Sequence, residues 1–217
     1  MRQGDTIVVA TKNAGKVREF AHAFGKLGLQ VVSMFDYPNL PDVEEDGLTF
    51  AENARKKAKT IADALGQPVL ADDSGLEVAA LDGAPGVYSA RYSGAGATDE
   101  RNNAKLVEAL SAAADKRPDA KDTLADGARL LSDARFVCAL ALYDPASGKY
   151  TEAEGYVAGR IIDKPRGSGG FGYDPLFWLP QYGRAMAELT TEEKQAISHR
   201  GGALQQLLGR MELASNG

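Results

Sequence analysis

The sequence predicts a mixed-sheet α/β protein. Three observations carry that expectation. Apolar runs of strand type alternate with segments of helical periodicity, and two long runs meet at a tight turn as an antiparallel pair. An apolar share of 44% over 217 residues also supplies ample core for one large domain or two closely merged lobes.

Thr6-Ile7-Val8-Val9-Ala10-Thr11 reads as a buried first strand. A helix from Ala14 to Leu27 follows, with Val17, Phe20, Ala21, Phe24 and Leu27 at helical spacing. Leu29 to Ser33 forms a second strand. Residues 36–47 hold Pro38, Pro41, Gly47 and several acids, which marks a loop. Thr49 and Glu52 have capping-box spacing, so a helix opens there and runs to Leu65, with Gly66 as its stop. Pro68 to Ala71 is a short strand, and Gly83-Ala84-Pro85-Gly86 a turn. Thr98 caps a helix to Ala113, with Asp99 and Glu100 in the first turn, where the helix dipole favours acids. Residues 114–132, with Pro118 and Gly127 among many charges, read as a mobile surface segment with one frayed helical turn. Ala134 to Tyr143 and Lys149 to Arg160 are the antiparallel pair, joined at Asp144-Pro145-Ala146-Ser147-Gly148. A glycine-rich stretch covers 163–175. Thr190-Thr191-Glu192-Glu193 gives a second capping box, and Ser198 starts a last helix that ends near Glu212. There is no internal repeat.

Composition narrows the function classes. A net charge of -5 disfavours a general nucleic-acid binder, so any anion site must be a local basic cluster. The single cysteine, Cys138, has no internal disulfide partner and sits in the apolar run Phe136 to Leu140, as a buried, inert thiol would. No apolar run approaches the roughly 20 residues that span a bilayer. The N-terminus lacks the basic-then-apolar order of a signal peptide. The expectation is a soluble cytoplasmic protein of one domain over 1–217, without membrane or nucleic-acid partners.

The most informative stretch is Ala71-Asp72-Asp73-Ser74-Gly75-Leu76-Glu77, directly after Val69-Leu70. Two adjacent carboxylates at the end of a buried strand are costly to desolvate unless something pairs with them. Mg²⁺ suits such a place, because it takes carboxylate oxygens together with substrate phosphates. A metal and a phosphorylated ligand are therefore expected at the edge of the sheet.

Thr11-Lys12-Asn13-Ala14-Gly15-Lys16 joins the first strand to the first helix. Free N–H groups at a helix N-terminus favour phosphate, and Lys16 adds a full charge, although the Walker A spacing is absent. By itself it also reads as an ordinary strand–helix turn. Lys57 borders the stripe Phe50, Ala54, Ala58, Ile61 and Leu65, where its ammonium either reaches back to water or enters a cleft, whereas Lys56 and Lys59 project away. Val43-Glu44-Glu45-Asp46-Gly47 is an acidic run, either solvated or folded toward Asp72 and Asp73 to complete a metal site. Phe171 and Tyr173 alternate with glycine in Gly169-Gly170-Phe171-Gly172-Tyr173-Asp174-Pro175, which presents aromatic faces to a base or plugs the core. Lys194, Ser198, His199 and Arg200 surround a helix start, and their donors suit carbonyl oxygens on a base edge.

Together these stretches resemble the inosine triphosphate pyrophosphatase family, which hydrolyses deaminated purine nucleoside triphosphates. The matching segments are Thr11 to Lys16, Thr49 to Ala58, Ala71 to Tyr92, Gly169 to Phe177 and Ala187 to Ala203. The resemblance implies an elongated mixed β-sheet flanked by helices, two lobes with a central substrate cleft, and a homodimer. It implies Mg²⁺-dependent release of a nucleoside monophosphate and pyrophosphate from dITP, ITP or XTP, which cleanses the nucleotide pool. Carried over, Thr11, Lys12, Asn13, Ala14, Gly15, Lys16 and Lys57 would hold the triphosphate. Glu44 and Asp73 would bind the metal, with Asp73 also the catalytic proton acceptor, Asp72 supporting the acidic cluster and Ser74 touching substrate. Phe171, Gly172, Tyr173 and Asp174 would line the base pocket, and Lys194, His199 and Arg200 would read the keto oxygens. Two departures stand out: residues 114–132 are longer than the family's connection, and Lys12 replaces a frequent glycine. A phosphohydrolase that cuts at the γ-phosphate and a nucleotide sensor without turnover are the competing classes.

Overall fold

The computed structural model describes residues 6–114 and 122–215, with side chains to 113 and from 122 to 211. Seven strands form one mixed sheet: β1 (Thr6–Ala10), β2 (Gln30–Ser33), β3 (Val69–Val78), β4 (Leu130–Asp144), β5 (Lys149–Ile162), β6 (Phe177–Leu179) and β7 (Arg184–Ala185), in the order β2-β1-β3-β4-β5-β6-β7. The helices are α1 (Ala14–Gly25), α2 (Phe50–Leu65), α3 (Asp99–Ala114), α4 (Thr191–Ile197) and α5 (His199–Ser215). The α/β expectation holds. The chain divides into two compact units: Met1–Asp73, Cys138–Gly155 and Ser198–Gly217 form the first, and Ser74–Val137 and Tyr156–Ile197 the second.

In the first unit, β1 runs parallel to both β2 and β3, with Val8 opposite Val32 and Val69. Parallel neighbours need crossovers, and α1 and α2 supply them. The local signals for α2 act as read: Thr49 and Glu52 close a capping box, and Gly66 takes a left-handed φ of 65° at the C-cap. The core gathers Val9, Phe20, Phe24, Leu70, Leu140 and Leu207, and Cys138 is buried within it as expected. Gly155 of β5 lies against the first turn of α5. A Cβ there would overlap the His199 carbonyl and the Ala203 amide, so only glycine permits the approach.

In the second unit, β6 pairs antiparallel with β5 and with β7, setting Ile161 opposite Phe177 and Trp178 opposite Ala185. Leu76, Leu106, Leu110, Ile161 and Met186 pack around the Phe136 and Phe177 rings, whose centroids are 4.4 Å apart. The Thr190–Glu193 box closes as read: the Thr190 N–H donates to Glu193 Oε2 at 2.8 Å, and the Glu193 N–H to Thr190 Oγ1 at 3.2 Å.

Four readings need correction. β3 does not stop at Ala71 but continues to Val78, so Asp72 and Asp73 lie within a strand that is third in the sheet order, not at a strand end on a sheet edge. β4 begins at Leu130 and β5 reaches Ile162, both longer than the periodicity suggested. Part of the 114–132 segment, 115–121, lies outside the described residues. Its remainder from Asp122 is a small hairpin, with Thr123 bridged to Arg129 and the Leu124 N–H donating to the Ala128 carbonyl at 2.8 Å. β6 and β7 went unread because strands of three and two residues carry no period to detect.

Candidate active site

The first unit gathers one set of charged groups. β1 ends at Ala10, and buried Thr11 turns the chain into α1. Asn13 is the N-cap: its Oδ1 accepts the Lys16 N–H at 3.0 Å, while its own N–H donates to Thr11 Oγ1 at 3.1 Å. Asn13 thus shapes the turn, and its side chain and carbonyl take the Lys16 and Val17 amides of the first turn of α1. Ala14 is exposed and Gly15 buried within that first turn. The Lys16 ammonium pairs with Asp72. Lys12 points away, its side chain 59% exposed and paired with Asp42 at 2.6 Å, so replacing the frequent glycine costs the turn nothing.

Consecutive residues on a strand face opposite ways, and the two aspartates have correspondingly different surroundings. Asp72 is fully buried. Lys16 holds its Oδ1, and Arg200 Nε at 2.9 Å and Cys138 Sγ at 3.1 Å hold its Oδ2. Burial works against the charge, but Arg200 and then Lys16 outweigh it and keep the carboxyl well below the usual carboxylate range. Asp72 in turn helps burial push the Cys138 thiol up, which leaves the sulfur unreactive.

Asp73 is the opposite case. It is buried, and Asn53 Nδ2 donates to its Oδ2 at 3.0 Å. Burial raises its pKa, and the Glu45 charge adds to the rise, against the pull of Lys57, Lys16 and Asn53. A desolvated carboxylate of raised basicity is suited to accept a proton. Lys57 points inward: it is buried, donates to the Asp72 carbonyl at 3.1 Å and pairs with Glu45. Lys56 and Lys59 are exposed and pair with Asp46 and Asp63, each at 2.6 Å.

Within the acidic run, Glu44 is exposed and half-buried Glu45 is the member that meets Lys57 and acts on Asp73. Asn53 was missed by sequence reasoning. It is 1% exposed and fixes the loop as well, because its Oδ1 accepts the Gly47 N–H at 2.8 Å. Its signal was its position four residues before Lys57, one turn away on the same helix face. Arg200 and His199 are both buried at the start of α5, and Arg200 is tied to Glu19 as well as Asp72. Glu19 had no sequence signal of its own.

A second set lies in the second unit. Half-buried Phe171 carries the Lys194 ammonium 5.4 Å from its ring centroid. Buried Asp174 joins them, since its Oδ2 accepts both Lys194 Nζ at 2.6 Å and the Phe171 N–H at 3.1 Å. Tyr173 takes the core alternative. It is 4% exposed, packs with Leu176 and Phe177, and donates its hydroxyl to the Ser89 carbonyl at 2.8 Å. Burial keeps that phenol un-ionised well beyond its ordinary range. Gly172 takes a φ of 61° beside Phe171, and Ser74 is half-buried directly after Asp73.

Against known proteins, the family model described as the Ham1 family matches residues 7–210. A protein of Geobacter sulfurreducens named dITP/XTP pyrophosphatase is 52% identical over 198 residues, 91% of this chain and 92% of its own. One of the same name from Exiguobacterium sibiricum is 51% identical over 201 residues, 93% and 94% of the two chains. Among solved structures, a HAM1 protein from Coxiella burnetii superposes with a TM-score of 0.79 at 41% identity, covering 95% of this chain and 98% of the other.

Proposed function

This chain belongs to the Ham1 family, and from that premise we propose that it hydrolyses deaminated purine nucleoside triphosphates — dITP, ITP and XTP — to the monophosphate and pyrophosphate. One observation carries the reading at the level of residues. Lys16 and Lys57, on two different helices, both converge on the Asp72–Asp73 pair and accompany one carboxylate of raised basicity. The family model spans residues of both units, which supports one functional domain over the chain.

In this reading the α1 N-terminal amides, Thr11, Lys16 and Lys57 hold the polyphosphate. Each lysine has three donors, so it can take a phosphate oxygen without abandoning its carboxylate. Among the described residues no three His, Cys, Asp or Glu side chains gather as a metal cage, so Mg²⁺ would be held by Asp73 and a glutamate from Glu44–Glu45 together with the substrate phosphates, as suits an ion seldom caged by protein alone. When bound, the ion would supply charge neutralisation on the phosphates and a more acidic water. Asp73 accepts the proton of the water that attacks the α-phosphorus in line. Lys16 and Lys57 stabilise the charge that moves onto departing pyrophosphate.

The base is assigned to Phe171 as platform, with Lys194, His199 and Arg200 as donors to the purine keto oxygen. Arg200 would act while held by Asp72 and Glu19. A buried donor facing the adenine amino group is left unpaired, at about 1–3 kcal/mol per group, which disfavours ATP. A homodimer, as the resemblance implies, is part of the proposal and is read by light scattering. Among the described residues no helix is long and apolar enough to cross a membrane.

The test is a nucleotide panel with Mg²⁺ that resolves pyrophosphate from orthophosphate. Pyrophosphate from dITP and XTP, with ATP and GTP spared, supports the reading. Orthophosphate alone means terminal attack, and no turnover of any nucleotide means a sensor.

A further inference from the structure

We propose that Asp99 and Asn103 are positioning residues that set how the purine base is held, by clamping Gly172 on both its backbone groups. The proposal rests on the assignment of Phe171 as base platform. Asp99 opens α3 and Asn103 follows one turn later, so both side chains leave the same face of the helix. Asp99 Oδ2 accepts the Gly172 N–H at 2.7 Å. Asn103 Nδ2 donates to the Gly172 carbonyl at 3.0 Å. Both hydrogen-bonding groups of one loop residue are thereby taken by one helix.

The clamped residue is the one that most needs it. Gly172 has a φ of 61°, and Gly170 on the other side of Phe171 has 79°. Glycines on both flanks give the platform a backbone with more accessible conformations than any other sequence would. Left alone, that freedom would have to be lost each time a base stacked. The structure removes it beforehand. Phe171 donates its own N–H to Asp174, and Tyr173 is anchored through its hydroxyl to Ser89, so the clamp completes a run of three fixed residues.

The two bonds differ in setting. The Asp99 contact lies at the surface but is charge-assisted, the stronger kind for a backbone amide. Asn103 keeps its orientation at a cost, because its Oδ1 is buried and accepts no hydrogen bond among the described residues. Turning the amide over would set that oxygen against the Gly172 carbonyl. The side chain is held for its donor.

A platform loosened in this way weakens base binding equally in the ground and transition states, which raises KM and leaves kcat alone. The experiment compares Asp99→Ala, Asp99→Asn and Asn103→Ala with the parent protein, using dITP as substrate and inorganic pyrophosphate as inhibitor. Asp99→Ala and Asn103→Ala should each raise KM about tenfold, as expected for one such bond, with kcat within about twofold. Asp99→Asn retains an acceptor and should fall between. The pyrophosphate inhibition constant should not move, since that ligand has no base. An unchanged KM overturns the proposal, and so does a joint rise in KM and in the pyrophosphate constant, which means general loosening. If the parent protein fails to hydrolyse dITP, the functional reading is what has failed. The clamp is then decided by hydrogen exchange at the Gly172 amide, which Asp99→Ala must deprotect.

Discussion

Replacing Asp72 by asparagine should unfold this protein far more readily, although the side chain changes by a single heavy atom. The carboxylate is fully buried and carries Lys16, Arg200 and Cys138 on its two oxygens. The amide keeps the volume and one acceptor but removes the charge that balances a buried guanidinium. Breaking a buried ion pair from one side costs about 3–5 kcal/mol. For a chain of this size each kcal/mol moves the melting point by about 2–4 °C, so the expected fall is roughly 6–20 °C. Calorimetry of the two proteins at pH 7 reads it. The pH dependence supplies a second signature. Arg200 and Lys16 hold the Asp72 carboxyl well below its unfolded value of about 3.9, so its contribution is present above that pH. The contribution is lost as pH falls from there through the folded value, because the unfolded chain takes up the proton first. Asp72→Asn should flatten that part of the acid limb. A melting point within about 2 °C of the parent, or acid limbs that run parallel below pH 4, would refute the buried-pair argument.

The neighbouring substitution should do the reverse. Asp73→Asn removes a charge that burial already disfavours, so thermal stability should hold or rise while kcat drops by about 10²–10⁴, the range for a lost general base; melting curves and steady-state rates on one sample check both. Glu45→Gln should reduce kcat/KM at least about tenfold and raise the Mg²⁺ concentration needed for half-maximal rate, with a smaller effect for exposed Glu44→Gln, because Glu45 is the one that meets Lys57 and acts on Asp73. Equal effects in a Mg²⁺ titration would instead assign both glutamates to the metal. Gly155→Ala should destabilise by about 1–3 kcal/mol or more in urea melts, because the added Cβ meets backbone of α5 that has no rotamer to change.

What the sequence disclosed and what it hid divide along one physical line. Features written within a few residues were legible: the Thr49–Glu52 and Thr190–Glu193 boxes, the Gly66 stop, and the strand–turn–helix at Thr11 to Lys16 all formed as read. Features that depend on distant partners were not. Asp72 and Asp73 looked like a strand end because two acids inside a buried strand are costly, and that cost is met by donors from α1, α2, β4 and α5, up to 128 residues away. Choosing between Glu44 and Glu45 requires the register of an irregular loop, which no periodicity encodes. Tyr173 and Phe171 each follow a glycine and looked alike, yet one seals the core through Ser89 and the other stays half-exposed beneath Lys194. Asn103, a residue of unremarkable type near the start of α3, revealed itself only through what it touches.

The ring of donors around Asp72 also sets a schedule for synthesis. Lys16, Cys138 and Arg200 all close on it, and Arg200 lies 128 residues further along the chain, so it leaves the ribosome long after the strand it steadies. Until α5 emerges and docks, the nascent polypeptide carries an acid inside an apolar strand with its principal counter-charge still missing. A chain that stops short of Arg200 would therefore be left with an uncompensated buried acid, a defect of folding rather than of rate.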